Sequence, residues 1–165
     1  MAVILARVDS RLVHGQVVEG WAPLLRADTL LVVDRELAGD PLTSRVLAAL
    51  ERPGLEIRLT GPRDAARLLA GELRSRRVLV LFASPLRALE ACDAGVEFGR
   101  LNLGNVHPSA ESRPVTASVY LTREDARALR ELSDRGVELE ARAVPADRSP
   151  DLPAVLRREF GNAHG

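Results

Sequence analysis

Two short, uninterrupted apolar runs constrain the fold of this chain more than any other feature. One run covers residues 29–33 (Thr-Leu-Leu-Val-Val), and the other covers residues 78–82 (Val-Leu-Val-Leu-Phe). Each run is too short for a typical buried helix, and the lack of polar alternation is typical of a strand that is covered on both faces. Strands of this kind occur in parallel sheets, where crossover helices cover both faces. The two runs therefore predict a parallel sheet.

Helix starts follow the predicted strands along the chain. Asp40 and Ser84 each stand directly before a proline, which places a capping side chain next to a proline at the first helical position. Thr122 and Asp125 have the spacing of a capping box. The predicted strands cover residues 2–6, 29–33, 55–60, 78–82, 101–103, 115–121 and 137–144, and the predicted helices begin near residues 15, 41, 63, 85, 123 and 152. A last short helix is expected to end near Phe160, followed by a loose tail.

The alternation of strands and helices predicts one α/β domain over residues 1–165. We expect a three-layer architecture, in which an open, mainly parallel sheet carries helices on both faces and one antiparallel edge strand is allowed for. In such sheets, ligands bind beyond the carboxyl ends of the strands, where the direction of the chain order reverses.

A polar stretch, Arg-Val-Asp-Ser-Arg-Leu-Val-His-Gly-Gln, follows the first predicted strand and occupies residues 7–16. Apolar residues with helical spacing come next, so His14 is predicted to lie in a loop before a helix that begins near Gly15. The start of a helix presents unpaired backbone N–H groups and the positive end of the helix dipole, which attract anions. Two guanidinium groups, those of Arg7 and Arg11, flank this loop. These features predict a site in which His14 carries a phosphate covalently.

Residues after other predicted strands belong to the same edge of the sheet. The loops that follow residues 33, 82 and 103 leave equivalent strand ends, because parallel strands end at a common edge. Asp34, Ser84, Asn105 and His107 are therefore candidate residues at the border of the His14 site. Two interpretations remain open for His107, a second functional imidazole and a surface loop residue without chemistry.

Charge and composition exclude several classes of function. The chain contains no lysine, which excludes a Schiff-base enzyme and a Walker-type phosphate loop, because both need an amine. The formal charge is zero and aromatic residues make up 3% of the chain, so no nucleic-acid partner is expected. The single Cys92 excludes an internal disulfide and favours a reducing compartment. No apolar run approaches the roughly 20 residues of a membrane span, so we expect membrane association only through a partner.

The stretch at residues 7–16 closely resembles the signature of the IIB components of the mannose, fructose and sorbose family, which belong to the bacterial phosphoenolpyruvate-dependent sugar phosphotransferase system. The likeness continues through Val-Val-Asp at 32–34, Asp-Pro-Leu at 40–42, Leu-Phe-Ala-Ser-Pro at 81–85, Leu-Asn-Leu-Gly at 101–104 and Val-Pro-Ala-Asp at 144–147. The resemblance therefore covers nearly the whole chain.

The resemblance implies a phosphocarrier enzyme, a protein-N-phosphohistidine–sugar phosphotransferase. His14 would accept a phosphoryl group from a phosphohistidine on a IIA partner and pass it to a hexose that enters through the IIC and IID membrane components. The protein would then be cytoplasmic and peripherally associated with the inner membrane through IIC and IID. No cofactor and no metal is implied, because arginine supplies the positive charge.

The resemblance also assigns roles to the neighbours of the histidine. Arg7 and Arg11 would hold the phosphoryl oxygens, since a guanidinium group binds phosphate in a bidentate manner. Asp9 would orient an arginine or the imidazole. The backbone of Gly15 and Gln16 would add N–H donors to the phosphate.

Two departures from the family pattern leave alternatives open. Ser10 stands where a second aspartate is common, and residues 104–107 read Gly-Asn-Val-His where a second glycine and a methionine are usual. The altered loop favours a second hypothesis, a regulatory module that keeps the phosphorylatable His14 and signals to a protein partner. A third hypothesis, a hydrolytic enzyme with His14 as its base, is weaker because no Gly-x-Ser-x-Gly motif occurs.

Overall fold

A computed structural model describes residues 2–161. Over this range the strands are β1 Val3–Asp9, β2 Thr29–Val33, β3 Glu56–Thr60, β4 Val78–Phe82, β5 Arg100–Asn105, β6 Arg113–Pro114, β7 Tyr120–Leu121 and β8 Glu138–Ala141. The helices are α1 Ala22–Leu25, α2 Pro41–Ala48, α3 Pro62–Ala70, α4 Pro85–Asp93, α5 Arg123–Asp134 and α6 Leu152–Phe160. A π-helical turn, Gln16–Trp21, leads into α1, and a 3-10 turn, Leu37–Gly39, precedes α2. The predicted tail at residues 162–165 lies outside the described range.

The main sheet has six strands in the order β3-β2-β4-β1-β5-β8. All of its strand pairs are parallel, which confirms the predicted α/β class. The antiparallel edge strand that we allowed for does not occur in this sheet, because both edge strands, β3 and β8, pair in parallel. Antiparallel pairing joins β6 to β7, which form a separate two-stranded sheet, and an isolated antiparallel bridge joins Arg52 to Leu55. Of the strand predicted at residues 115–121, only the last two residues are extended in β7.

The predicted central strands and helix caps are confirmed. β2 and β4 have the predicted bounds, and every residue in both strands is buried. The Asp40 side chain accepts from the N–H groups at the start of α2, and the Ser84 side chain does the same for α4. Thr122 and Asp125 form the capping box at the start of α5. None of the helices within residues 2–161 combines the length and the apolarity that a membrane span requires.

Apolar clusters cover the two faces of the sheet. On one face, Val17 and Trp21 from the π-helical turn and Leu47 from α2 belong to the same cluster as the strand residues Leu30 and Leu79. The cluster on the opposite face joins side chains of α3, α4, α5 and α6 to the other set of strand residues. Helices on both faces therefore form the predicted three layers.

The strand order predicts a ligand crevice between β1 and β5. After β1 the chain continues to β2, toward the β3 edge of the sheet. After β5 it continues to β8, at the opposite edge. The two connections diverge at neighbouring strands, and this divergence is the geometry that opens a ligand crevice at the carboxyl ends.

The ends of β1 and β5 differ from the sequence prediction. β1 continues to Asp9 instead of ending near residue 6, so Arg7 and Asp9 are strand residues. β5 includes Gly104 and Asn105, which we had expected in a loop. The register between these strands shifts here, since Val8 lies opposite Leu103 whereas Asp9 lies opposite Asn105. Gly104 is thus an extra residue in β5, and such a bulge re-aims the side chain that follows it.

Candidate active site

The last residues of β1 place two charged side chains inside the protein. Arg7 and Asp9 flank Val8, so strand alternation puts both on the same face of the sheet. Both residues are 0% exposed. A buried charge is tolerated only when it is paired and hydrogen-bonded, so each of these groups needs partners from elsewhere in the fold.

The terminal nitrogens of Arg7 are all engaged inside the protein. NH1 donates to Asn102 Oδ1 at 2.6 Å and to the Arg142 carbonyl at 3.0 Å. NH2 donates to Asp9 Oδ2 at 3.1 Å and to the Ala143 carbonyl at 2.9 Å. The prediction that Arg7 holds phosphoryl oxygens does not fit this placement, because its guanidinium group is buried and its terminal N–H groups already have acceptors.

The buried Arg7 belongs to a polar layer that the sequence prediction missed. Asn102 Nδ2 and Arg142 NH2 both donate to Glu140 Oε1, at 3.0 Å and 2.9 Å. The guanidinium carbons of Arg7 and Arg142 each lie 5.1 Å from the ring centroid of Trp21, within the range of cation–π attraction. The available signal was the alternation of polar residues in the predicted strands at 101–103 and 137–144.

Asp9 is the central acceptor of the site. Its Oδ2 atom lies 2.7 Å from His14 Nε2 and 3.0 Å from Asn105 Nδ2, and its Oδ1 atom accepts the Arg11 backbone N–H at 3.0 Å. Burial is the largest single influence on the pKa of Asp9 and raises it, whereas the hydrogen bonds from His14 and Asn105 lower it. The Arg11 N–H group and the charge of Arg7 act in the same direction, so the pKa of Asp9 lies below its ordinary value. Asp9 is therefore a carboxylate at neutral pH.

His14 is oriented by this carboxylate. A carboxylate can only accept hydrogen bonds, so Nε2 of His14 carries the proton in the contact with Asp9. In the neutral imidazole, the lone pair then lies on Nδ1, which has no hydrogen-bond partner among the described residues. The His14 side chain is 13% exposed, so most of the ring is covered by protein and a small part of it meets solvent.

Gln16, Arg11 and Asn105 form a hydrogen-bonded group that Asn105 joins to Asp9, the partner of His14. Gln16 Oε1 accepts from Arg11 NH2 and from Asn105 Nδ2, both at 3.2 Å. Arg11 is exposed, and no salt bridge joins it to an acidic group within residues 2–161. Gly15 is exposed at the start of the π-helical turn, where the first backbone N–H groups lack helical acceptors.

The loop between β1 and the histidine also contacts the candidate border residue His107. The backbone N–H of His107 donates to Ser10 Oγ at 3.1 Å, and His107 itself is exposed. The two departures from the family pattern are therefore in direct contact. Leu12 adopts a φ of 56°, a left-handed conformation that is unusual for a leucine, and its N–H donates to the Asp9 carbonyl. The loop thus makes a tight turn over Asp9.

Two other candidate border residues have local structural roles instead. Asp34 Oδ1 accepts the backbone N–H groups of Glu36 and Leu37 at the start of the 3-10 turn. Ser84 Oγ accepts the Arg87 N–H as the cap of α4. The contacts in the described part of the chain do not join either residue to His14, which differs from our expectation. Both lie at the carboxyl edge of the sheet, and β4, which precedes Ser84, is the direct neighbour of β1, but the side chains of both residues are held by nearby backbone N–H groups.

The fold and the site together define an α/β protein with a carboxylate-supported histidine at the crevice of a parallel sheet. One ring nitrogen is held by Asp9, and the other has no hydrogen-bond partner among the described residues. A guanidinium group and the start of a helix lie beside it, which suits a group that carries negative charge.

Comparison with known proteins assigns the family. The model of the sorbose subfamily IIB component of the phosphotransferase system (PTS) matches residues 3–164. The sorbose-specific EIIB component of Lacticaseibacillus casei is 30% identical over 162 residues, which cover 98% of this chain and 99% of that protein. The fructose-specific EIIB component of Bacillus subtilis is 29% identical over 158 residues, with 95% and 97% covered.

Solved structures agree with this assignment. The IIBSor domain of the sorbose permease from Klebsiella pneumoniae superposes with a TM-score of 0.89 at 27% identity, and 96% of this chain and 98% of that chain are covered. The N-acetylgalactosamine-specific IIB component 1 from Escherichia coli has a TM-score of 0.84 at 27% identity, with 90% and 98% covered. This chain therefore belongs to the sorbose subfamily of IIB components, and it is a module of the sugar phosphotransferase system.

Proposed function

We propose that this protein accepts a phosphoryl group on His14 from a phosphohistidine of a IIA protein and passes the group to a hexose. The observation that carries the proposal is the 2.7 Å contact between Asp9 Oδ2 and His14 Nε2. This contact leaves Nδ1 as the nucleophilic nitrogen.

The chemistry requires only one new bond on the imidazole. Nδ1 of His14 attacks phosphorus, and the N–P bond to the donor histidine breaks as the new N–P bond forms. The proton on Nε2 stays in its hydrogen bond to Asp9, and the carboxylate stabilises the positive charge that develops on the ring. In the second step a sugar hydroxyl oxygen attacks the same phosphorus, the N–P bond to His14 breaks, and the hydroxyl proton is released. Alignment and charge stabilisation are the main requirements of such transfers.

The surrounding groups divide into those that meet the phosphoryl oxygens and those that hold the site in place. Arg11 is exposed beside the histidine, so we assign it, with the backbone N–H groups of Gly15 and Gln16, to the phosphoryl oxygens. Arg7 is assigned to holding Asp9, to which it donates at 3.1 Å. This role replaces the direct phosphate contact that the sequence suggested.

The partners are inferred from the family. The mannose-specific EIIAB component of Escherichia coli is 30% identical over 155 residues, and its name joins an A part to the B part. The aligned residues cover 89% of this chain and 46% of that protein, so a second part of comparable length adjoins its B part. We propose a IIA protein as the phosphoryl donor and IIC and IID membrane components as the site of delivery, where the chain would meet the membrane through these partners.

Phosphate labelling tests the proposal. After incubation with a radioactively phosphorylated IIA protein of this family, the chain should carry a label that is labile in acid and stable in alkali. We expect His14→Ala to abolish the label and His107→Ala, the matched removal of another imidazole, to retain it. A label that survives His14→Ala would overturn the assignment.

The exposed His107 loop favours a second candidate function, a regulatory module that acts on a protein partner. Labelled protein added to membrane vesicles that contain IIC and IID separates the two functions. Formation of hexose phosphate supports the transport role. Labelling at His14 without any hexose phosphate, in vesicles that are active with a cognate IIB protein, supports the regulatory role.

A further inference from the structure

The amide group of Asn105 occupies a position between two residues of the candidate site. Its Nδ2 atom lies 3.0 Å from Asp9 Oδ2 and 3.2 Å from Gln16 Oε1. An amide nitrogen has two hydrogens, so Asn105 can donate to both acceptors at once. One side chain from β5 therefore joins the end of β1 to the start of the helix that follows His14.

The orientation of both amides is determined by their partners. The Asp9 carboxylate can only accept, so Nδ2 of Asn105 must face it. Arg11 can only donate, so Oε1 of Gln16 must face the guanidinium group, at 3.2 Å. With Oε1 held by Arg11 and Asn105, the Nε2 group of Gln16 is turned away from both residues and remains a donor for another acceptor.

The bulge in β5 explains how Asn105 reaches this position. In a regular strand, residues 103 and 105 would point to the same face, and Leu103 packs in the core on the face opposite to Arg7. Because Gly104 is an extra residue in the register, Asn105 lies opposite Asp9 and its side chain reaches the carboxylate. The altered part of β5 is therefore built into the site.

The geometry assigns Asn105 as a positioning residue for phosphoryl transfer, which holds Asp9 against His14 and turns the amide N–H group of Gln16 toward the phosphoryl oxygens. This inference rests on the proposed phosphocarrier function. Asn105 makes no bond to the transferred group. It acts through Asp9, which orients the nucleophile, and through Gln16, which is placed to donate to the acceptor oxygens.

The expected effect concerns the transfer step rather than the docking of the donor. We expect Asn105→Ala to slow single-turnover phosphoryl uptake from phosphorylated IIA about tenfold, which corresponds to about 1.4 kcal/mol in the barrier. The loss should lie in the maximal rate constant of uptake. The donor concentration that gives half of that rate should stay within twofold of its wild-type value. Asn105→Ser retains one donor and should lose less than Asn105→Ala. Asn105→Asp puts a second carboxylate beside Asp9 and should lose more.

A double-mutant cycle shows whether Asn105 acts through Gln16. If it does, the fold-loss in rate of the Asn105→Ala, Gln16→Ala double variant should be well below the product of the two single fold-losses. The reason is that both changes remove the same interaction. Thr122→Ala is the control, since it removes a hydrogen-bonding side chain at the cap of α5, outside the site, and should leave uptake unchanged.

The outcomes separate this inference from the function on which it rests. If wild-type protein takes up no label, the proposed function fails. If wild type is labelled and both Asn105→Ala and Asn105→Asp match its uptake within twofold, the inference about Asn105 is overturned. If Asn105→Ala does not fold, Asn105→Ser carries the test, and uptake equal to wild type together with additive losses in its cycle with Gln16→Ala would overturn the inference.

Discussion

Gly104 lies so close to the guanidinium group of Arg7 that a β-carbon built on the glycine would stand 2.0 Å from Arg7 Cζ. The same β-carbon would lie 2.1 Å from NH2 and 2.4 Å from NH1. A residue without a side chain is therefore needed where β5 bulges past β1. The bulge brings Asn105 to Asp9, and the missing side chain leaves room for the arginine that holds Asp9 from the other side.

We expect Gly104→Ala to destabilise the protein by about 2–3 kcal/mol, because overpacking a buried site forces neighbouring groups to move. The end of an arginine side chain is usually flexible, but the terminal nitrogens of Arg7 donate to four acceptors inside the protein. Moving the guanidinium group would break these bonds. Denaturation in urea measures the free energy of unfolding directly.

Gly99→Ala is the matched control, because a β-carbon at Gly99 would meet nothing within 4 Å. It should change the free energy of unfolding by less than about 0.5 kcal/mol. Equal effects of the two substitutions would contradict the close packing of Gly104 against Arg7.

The lowered pKa of Asp9 predicts an acid-dependent contribution to stability. The native state favours the ionised carboxylate, so this contribution is complete above the ordinary pKa of an aspartate, near 3.8. It is lost as the pH falls through that value toward the lower native pKa. Asp9→Asn should cost roughly 3 kcal/mol at pH 7, because it removes the carboxylate partner of the buried Arg7. The difference between wild type and Asp9→Asn should shrink as the pH falls below about 4.

Urea denaturation at several pH values between 7 and 3 measures this difference. Ser84→Ala serves as the control, because it removes an uncharged helix cap, which is worth about 1 kcal/mol. Its difference from wild type should not depend on pH. A gap between wild type and Asp9→Asn that stays constant or widens in acid would contradict the lowered pKa of Asp9.

The parts of the fold that the sequence predicted well are those set by local chemistry. The runs at β2 and β4 are almost wholly apolar, so they are best buried on both faces, as in the centre of a parallel sheet. The proline that follows Asp40 or Ser84 determines where each helix begins, because it fits the first helical position and disfavours later ones. The bounds of these elements depend on neighbours only a few residues away.

The placement of Arg7 could not be predicted in the same way. Its acceptors lie on residues 95, 135 and 136 positions away in the chain, besides Asp9. A charged side chain at a strand end is usually exposed, and only the packing of β5 and the segment after β8 against β1 makes its burial favourable. The π-helical turn and the bulge at Gly104 are likewise set by tertiary packing and leave no periodic signal in the sequence.

The hydrogen bond between Asp9 and His14 predicts which nitrogen carries phosphorus. We expect nuclear magnetic resonance of phosphorylated protein with ¹⁵N-labelled histidine to show phosphorus bonded to Nδ1 of His14 and a proton on Nε2. The reason is that Asp9 Oδ2 lies 2.7 Å from Nε2 and so occupies that nitrogen. Coupling of phosphorus to Nε2 would contradict the orientation of the ring. Unphosphorylated protein provides the reference spectrum for the same nitrogens.

Arg11 should contribute to phosphoryl transfer without contributing to stability. It is exposed, and within residues 2–161 its guanidinium group donates one hydrogen bond, to Gln16 Oε1 at 3.2 Å. We expect Arg11→Ala to slow uptake from phosphorylated IIA by about 100- to 1,000-fold, the range in which loss of one preorganised donor reduces such steps. Arg11→Lys keeps the charge but not the planar guanidinium group, and its rate of uptake should fall between those of wild type and Arg11→Ala.

Arg35→Ala is the control, because Arg35 is similarly exposed but follows β2 and pairs with Glu90. Uptake by Arg11→Ala that equals uptake by Arg35→Ala would show that Arg11 does not meet the phosphoryl group.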